Sequence, residues 1–277
     1  MSYKDIVVQI ADGADCPRRL KYTVDLALLH GAHVTGIYIE PPLPMSAFPE
    51  IPVPAAVIDA QEASATQVRE ALEQQFNRAI NHAGVSGEWR VSQADAITAL
   101  NVSARYADLL VIGHSEDTAM GWFDGAASKH VALESGRPAL VVPHHAEGAT
   151  LGQRILVAWN GSREAVRAVH DALPLLKHAD VVQVAVINPQ FGYGQHGAIP
   201  GADICLHLAR HGIHAEAFVG HADGQTVGPA LREQARAIGA DLVVMGAYGH
   251  SRFRELVLGG VTRYLLEHLH VPMLMAH

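Results

Sequence analysis

Residues 240–246 read Ala-Asp-Leu-Val-Val-Met-Gly, and residues 107–113 read Ala-Asp-Leu-Leu-Val-Ile-Gly. Each is a short apolar run that ends in glycine, which is typical of a buried strand followed by a turn. The likeness extends to both sides of these runs. Further matching pairs occur in the same order, namely residues 6–10 with 155–159, 28–34 with 175–181, and 137–142 with 271–276. Four correspondences in one order indicate an internal duplication.

In each half, apolar runs of this kind alternate with longer stretches of helical period, such as residues 230–238. Strands that are apolar on both faces belong to a parallel sheet covered by helices on two sides. The sequence therefore predicts an α/β protein with two tandem open parallel sheets of about five strands each, flanked by helices in a Rossmann-like arrangement. Ligands of such sheets bind at the carboxyl ends of the strands, where the strand order reverses.

The chain length of 277 residues fits two domains of about 140 residues. We assign residues 1–147 to the first domain and residues 151–277 to the second, with the linker near residues 144–152. Residues 40–60 carry six prolines, so we expect a loop there. This loop is interpreted as a lid, as an arm toward a partner, or as a plain surface excursion.

Composition indicates a globular protein, because 49% of the residues are hydrophobic and 17% are charged. No apolar run reaches the roughly 18 to 20 residues of a membrane helix, and the first residues lead directly into a strand. Two cysteines, one in each half, fit a reducing compartment. We therefore expect a cytoplasmic protein without a membrane partner.

The net charge of −8 is concentrated in the first half. Residues 1–147 hold 10 Lys and Arg against 18 Asp and Glu, which leaves 10 against 10 in residues 148–277. Neither half is basic, so the sequence argues against nucleic-acid binding through phosphate contacts. A small anionic ligand fits the second half better.

The most informative motif is Gly246-Ala247-Tyr248-Gly249, followed after nine residues by Gly259-Gly260-Val261-Thr262. Glycines let a backbone approach phosphate closely, amides at a helix start supply oriented donors, and Thr262 adds a hydroxyl. No Gly-Lys-Ser/Thr follows, so this is not a Walker loop. Taken alone, the pattern is also compatible with a structural turn.

Within the repeat, however, these motifs resemble the universal stress protein family, and the resemblance covers nearly the whole chain as two tandem domains. It rests on the first strand with Asn160-Gly161-Ser162, the strand ending at Gly246, the glycine motif and the closing Val-Pro strand. The resemblance implies five parallel strands per domain, in the adenine nucleotide alpha hydrolase-like arrangement, and, in one branch of the family, bound ATP. It places the nucleotide against Ala158, Trp159, Asn160, Val186, Met245, Gly246, Tyr248, Gly249, Gly259, Gly260, Val261 and Thr262.

Two departures bear on binding. The ATP-binding branch has Asp where Asn160 stands and Ser where Gly260 stands. Asn cannot hold a cation as a carboxylate does, and the lost hydroxyl removes about 1 kcal/mol of hydrogen bonding. The first half departs further, because Glu116 replaces the second glycine of the motif. We expect a working site for ATP, ADP or AMP, with or without Mg²⁺, in the second half.

Histidine, cysteine and serine residues of the chain also allow metal binding or nucleophilic chemistry. His207 and His211, four residues apart with His214 beyond, are interpreted as a zinc-binding pair or as surface histidines. Cys16 is either a reactive loop thiol or a plain core cysteine, and Ser162 is better suited to capping a helix than to catalysis. No convincing acid and base pair is present.

Three functions therefore remain: a nucleotide-binding regulator of the stress response, a nucleotide-free interaction scaffold, and a slow ATPase that would use His250 or Asn160. For assembly, the last strand of each half is short and apolar, and such an edge requires a partner. The family commonly dimerises through it, so we expect an internal pseudo-dimer, with homodimers as a further level of assembly.

Overall fold

The computed structural model of the protein describes residues 2–13, 15–40, 54–114, 125–190, 199–222, 226–247 and 260–277, and for residues 125–129 it describes the backbone alone. Strands and helices alternate throughout, which confirms the predicted α/β fold. In the first half they are β1 (Asp5–Ile10), α1 (Cys16–His30), β2 (His33–Ile39), α2 (Ala55–Ala83), β3 (Gly87–Ser92), α3 (Ala96–Ala104), β4 (Leu109–His114), α4 (Gly125–Glu134) and β5 (Ala139–Pro143).

The second half repeats this order. Its elements are β6 (Arg154–Ala158), α5 (Arg163–Leu176), β7 (Val181–Ile187), α6 (Ala202–Arg210), β8 (Glu216–Gly220), α7 (Val227–Ala237), β9 (Leu242–Gly246), α8 (Gly260–His268) and β10 (Met273–Ala276). The domain boundaries at residues 147 and 151 fall between β5 and β6 and stay a prediction.

All ten strands lie in one sheet, in the order β3-β2-β1-β4-β5-β10-β9-β6-β7-β8. Within each half the strands are parallel, and the two halves meet where β5 and β10 pair antiparallel, with Leu274 opposite Leu140. The sequence predicted two sheets, and each half does contribute five strands. They form one sheet because each terminal strand supplies the hydrogen-bond partner that the other lacks.

Helices cover the sheet on both faces, which is why its strands are apolar on both sides. One face packs against α1, α2, α5 and α6, and the other against α3, α4, α7 and α8. Every residue of β4 is buried. Among the described residues, the helices are all too short or too polar to cross a bilayer.

The proline-rich segment differs from the prediction at its C-terminal end. Helix α2 begins at Ala55, directly after Pro54, so residues 55–60 are helical and the prediction of a loop over residues 40–60 was wrong for them. Residues 41–53 lie outside the described residues. Proline is compatible with a helix start, because the first amides of a helix have no intrahelical partner. The alanine-rich sequence that follows favours helix.

Contacts between the halves also occur away from the strand pair. The hydroxyl of Tyr3 donates to the carbonyl oxygen of Asp171 at 2.7 Å, and that of Tyr22 donates to the carbonyl oxygen of Gly148, in the linker, at 2.9 Å. The ring of His30 lies edge-on to that of His178, with ring centres 5.8 Å apart. The end of α1 and the residue pair Tyr3 and Asp171 therefore add contacts between the halves on the face of the sheet that α1 and α5 cover.

Candidate functional site

The sheet order creates two crevices at its carboxyl edge. Strand β1 lies between β2 and β4, and β6 lies between β7 and β9. From β1 the chain continues to β2 on one side, whereas from the neighbouring β4 it continues to β5 on the other side, and β6 and β9 repeat this arrangement. Open α/β sheets bind ligands between neighbouring strands whose connections run in opposite directions. We call the crevice between β1 and β4 the first crevice, and the one between β6 and β9 the second crevice.

At the second crevice, the end of β6 passes into a tight turn. Ala158 lies opposite Met245 of β9, and the amide of Trp159 still pairs with Ala185 of β7 at 2.9 Å. Asn160 is exposed, and its side-chain oxygen accepts a hydrogen bond from the amide of Ser162 at 3.1 Å. The Asn160 carboxamide oxygen thus shapes the turn that leads into α5.

Ser162 caps helix α5, as the sequence predicted. Its hydroxyl oxygen accepts a hydrogen bond from the amide of Ala165 at 3.2 Å. The first turn of α5 lies over the end of β9: a Cβ on Gly246 would lie 2.5 Å from the nitrogen of Ala165 and 2.5 Å from the carbonyl carbon of Glu164. Glycine is therefore required at position 246 by the packing of α5, quite apart from any ligand.

Glu164 was missed as a component of this crevice. It is 5% exposed, and its carboxylate accepts a hydrogen bond from Nε of Arg163 at 2.6 Å. Burial raises the pKa of Glu164, but hydrogen bonds from Arg163, the backbone and Ser162 outweigh it, so the net pKa is lowered. A charged carboxylate in the first turn of a helix also interacts favourably with the helix dipole.

Helix α8 packs on the opposite face of the sheet from α5 and begins at Gly260. Gly260 is exposed, and a Cβ there would meet none of the described residues within 4 Å, so their packing does not require glycine at this position. Val261 is half-buried, and Thr262 is 3% exposed in the first turn. The other proposed phosphate contacts, Tyr248, Gly249 and Gly259, lie outside the described residues.

The resemblance implies that Val186 lies against the adenine, Ala158, Trp159 and Asn160 along the adenosine, and Met245 along the ribose and phosphates, and the structure divides these residues between the two faces of the sheet. Val186 is fully buried in the core beneath α5 and α6, where a Cβ on Gly201 would lie 3.4 Å from its Cγ2. Met245 is buried in the opposite core, and Ala158 packs there too. Among the described residues at this edge, Ala158, Trp159 and Gly246 are half-buried and Asn160 is exposed, so a ligand could reach these four.

Two further residues lie at the same edge of the sheet and belong to no motif that the sequence analysis identified. His277 follows β10 and places Nδ1 3.0 Å from the carbonyl oxygen of Ala247. Asn188 follows β7 with a φ of 51°, and its side chain accepts a hydrogen bond from the amide of Ala222 at 2.9 Å. An asparagine just after a strand is a signal for such a left-handed turn.

The first crevice is built differently. Arg19 of α1 is 2% exposed, its Nε donates to the carbonyl oxygen of Gln9 at 2.8 Å, and its Nη1 donates to Oδ2 of Asp15 at 2.7 Å. The side-chain oxygen of Gln9 accepts a hydrogen bond from the amide of Gly113 at 2.9 Å. Ala11, which occupies the position of Asn160, is half-buried. Glu116 lies outside the described residues.

The histidine pair proposed as a zinc site gains a neighbour from α5. The rings of His207 and His211 are 4.8 Å apart, and that of His170 is 5.2 Å from His207. Burial, together with the charges of His211, His170 and Arg210, lowers the pKa of His207. Within the described ranges, no set of three His, Cys, Asp or Glu side chains is arranged to hold a metal ion.

Comparison with known proteins agrees with this architecture. The family model of the universal stress protein family matches residues 2–143 and again residues 152–277, so the chain belongs to that family. Universal stress protein Slr1230 of Synechocystis sp. is 28% identical over 172 residues, and the match covers 60% of this chain and 57% of that relative's length.

Solved structures share the fold over almost the full length. A universal stress protein from Archaeoglobus fulgidus DSM 4304 superposes with a TM-score of 0.72 at 16% identity, and the match covers 98% of this chain and 95% of that one. A protein from Pseudomonas aeruginosa UCBPP-PA14 gives a TM-score of 0.59 at 14% identity, with 99% and 93% covered. Both show the same fold as this chain.

Proposed function

We propose that the protein is a regulator in the stress response that binds one adenine nucleotide, with ATP as the first candidate and ADP or AMP as alternatives, in its second crevice. The observation that carries this is the first turn of α5, which lies on Gly246 at the carboxyl end of β9, beside the end of β6. Helix N-termini favour phosphate through free amides and a positive dipole end. The exposed start of α8 at Gly260 supplies a second such end in the same half.

The charges near the site fit a nucleotide without a protein-bound cation. Arg163 pairs with Glu164 and so offsets the one buried carboxylate described in the first turn of α5. Asn160 lacks the charge to hold Mg²⁺ directly. A magnesium ion would therefore be held by the phosphates and by water, as is common for Mg²⁺ at nucleotide sites.

A nucleotide-free interaction scaffold is the second candidate. It is favoured by the fact that the packing of α5 accounts for Gly246 without any ligand. Slow ATP hydrolysis is the third candidate function. The described residues of the second crevice offer Glu164 as an acid, but it is tied to Arg163 and already ionised.

We also propose that the halves form an internal pseudo-dimer about a local two-fold, and that the cytoplasm is the site of action. The antiparallel pairing of β5 with β10 supports the first of these, because two equivalent strands of a symmetric pair must run in opposite directions at the axis. Light scattering with and without ATP would reveal any further homodimer.

The first experiment is mass spectrometry of nucleotide released from the purified protein, together with calorimetric titration of ATP. Gly260→Glu is the variant meant to disrupt binding. The described residues leave room for the side chain there, and the new carboxylate would repel a polyphosphate. Ala55→Glu, which places the same charge at the exposed first residue of α2, is its control.

We expect about one nucleotide per wild-type chain and at least a tenfold weaker affinity, about 1.4 kcal/mol, in Gly260→Glu alone. Equal binding by Gly260→Glu and wild type would place the nucleotide elsewhere. No nucleotide and no titratable binding in the wild type would favour the scaffold.

A further inference from the structure

Three histidine rings from two helices meet on the face of the sheet that α5 and α6 cover. His170 lies on α5, His207 lies in the last turn of α6, and His211 follows the last residue of α6. The ring centre of His207 lies 4.8 Å from that of His211 and 5.2 Å from that of His170, and the rings of His170 and His211 are 6.5 Å apart. We call these three residues the histidine cluster, and through it α6 contacts α5.

We infer that the histidine cluster is an acid-sensitive contact, which holds α6 against α5 while its rings are neutral and releases α6 when more than one ring takes up a proton. Neutral imidazole rings pack against one another as aromatic surfaces, whereas two positively charged rings at these distances repel each other. Histidine passes between the two states in the physiological range of pH. The inference does not depend on the proposed function.

The charged groups around the cluster do not offset such repulsion. Asp203 of α6 and Glu216 of β8 are both exposed, and Asp171 of α5 is already paired with Arg167 at 2.7 Å. Within the described part of the chain, no ion pair joins a carboxylate to the cluster. Arg210, the last residue of α6, adds a further positive charge. Protonation of the cluster therefore adds like charges where no counter-charge is in place.

His207, at the centre of the cluster, is held neutral by its surroundings. Its Nε2 is out of contact with solvent and has no hydrogen-bond partner. Burial, followed by the charges of His211, His170 and Arg210, lowers the pKa of His207 from its ordinary 6.5. The carbonyl end of a helix favours a positive charge, but Arg210 already supplies one there. The unfolded segment takes up the proton first, so the stabilisation by His207 is complete above pH 6.5 and is lost as the pH falls below it.

Helix α6 is a weakly anchored element on which this repulsion acts. It has nine residues, its buried side chains are Ile204 and Leu208, and Gly201 before it provides no side-chain cap. Elements with few buried apolar contacts open before the rest of a protein does. Gly201 also lies against Val186 of β7, because a Cβ there would be 3.4 Å from Cγ2 of Val186. Release of α6 therefore uncovers this side of β7.

Hydrogen–deuterium exchange of the full-length protein, followed by mass spectrometry, measures the release of α6. Exchange rates at pH 7 and at pH 5 are each divided by the intrinsic amide rate at that pH, which gives the protection of α6. EDTA is present throughout, because the three side chains are not arranged to hold a metal ion and we expect the cluster to respond to protons. In the wild type, we expect the protection of α6 to fall about tenfold or more from pH 7 to pH 5.

Three variants assign this response to the cluster. His207→Gln removes its centre, His170→Gln removes the exposed member on α5, and His214→Gln changes an exposed histidine beyond the cluster as the matched control. We expect a fall of at most about threefold in the first two, because fewer like charges meet, and the wild-type fall in His214→Gln. Protection of α7 at pH 7 checks that each variant is folded.

The inference is overturned if α6 keeps its protection at pH 5 in the wild type, or if its protection falls equally in all four proteins. A response that His214→Gln removes as well would also overturn it, because the charge of the cluster would then not be the cause. His170→Gln keeps the test decisive even if His207→Gln fails to fold, since the side chain of His170 is exposed. Nucleotide binding is not part of the measurement, so the proposed function stands or falls separately.

Discussion

Gly113 lies directly beneath Arg19, with no room for a Cβ between the glycine and the guanidinium group. Its counterpart in the repeat, Gly246, is covered instead by the backbone of Glu164 and Ala165. The same strand position therefore requires glycine for two different reasons. In the first half the guanidinium end of a long side chain fills the space, and in the second half a helix terminus does.

These glycines should differ in their tolerance of alanine. In Gly113→Ala the far end of Arg19 moves aside, whereas in Gly246→Ala the new methyl group meets atoms that move only with α5. We expect Gly246→Ala to lower the free energy of unfolding by about 2 to 3 kcal/mol, and Gly113→Ala by about 1 kcal/mol. Urea denaturation followed by circular dichroism measures both, and a larger loss in Gly113→Ala would contradict the packing described.

His30 should make stability depend on pH. It is 6% exposed, and burial, with smaller contributions from His178 and Lys4, lowers its pKa from its ordinary 6.5 to about 4. The unfolded chain takes up the proton first, so the stabilisation is complete above pH 6.5 and is lost as the pH falls toward 4. Between pH 7 and pH 5 we expect this group to remove about 2 kcal/mol of stability.

The variant for this test is His30→Phe, which keeps an aromatic ring beside Tyr3 and cannot titrate. Its free energy of unfolding should fall less than that of the wild type between pH 7 and pH 5. His82→Gln, at an exposed position of α2, is the control and should retain the wild-type slope. If the free energy of unfolding depended on pH identically in His30→Phe and wild type, His30 would not be the source of the pH dependence.

Gly260→Ser should strengthen nucleotide binding. The position is exposed, open to a Cβ and the first residue of α8, so a serine fits and adds a hydroxyl near the helix amides. We expect a gain of about 1 kcal/mol, roughly a fivefold lower Kd for ATP, by calorimetry. Gly260→Ala is the control, because it fills the same space without the hydroxyl. A serine variant no tighter than the alanine variant would mean that no phosphate lies near this residue.

The sequence predicted the fold class and the repeat because both depend on local patterns. Two-sided apolar strands and helical periods recur along the chain wherever burial demands them. The start of α2 at Ala55 was mistaken for loop, because the prolines before it dominated the interpretation of residues 40–60. The helix cap by Ser162 could be predicted from the local sequence, since its hydrogen-bond partner Ala165 is only three residues away.

What the sequence by itself determined was the order of strands and helices, the duplication and the glycine-bearing strand ends. The tertiary structure alone decided the register in which β5 pairs with β10, the packing of α5 on Gly246, and the fact that Arg19 turns inward while Arg163 turns outward. Residue patterns report which positions are buried, but not which distant atoms share the space. Arg18 and Arg19 look alike in the chain, and only the packing of α1 against β4 buries one of them.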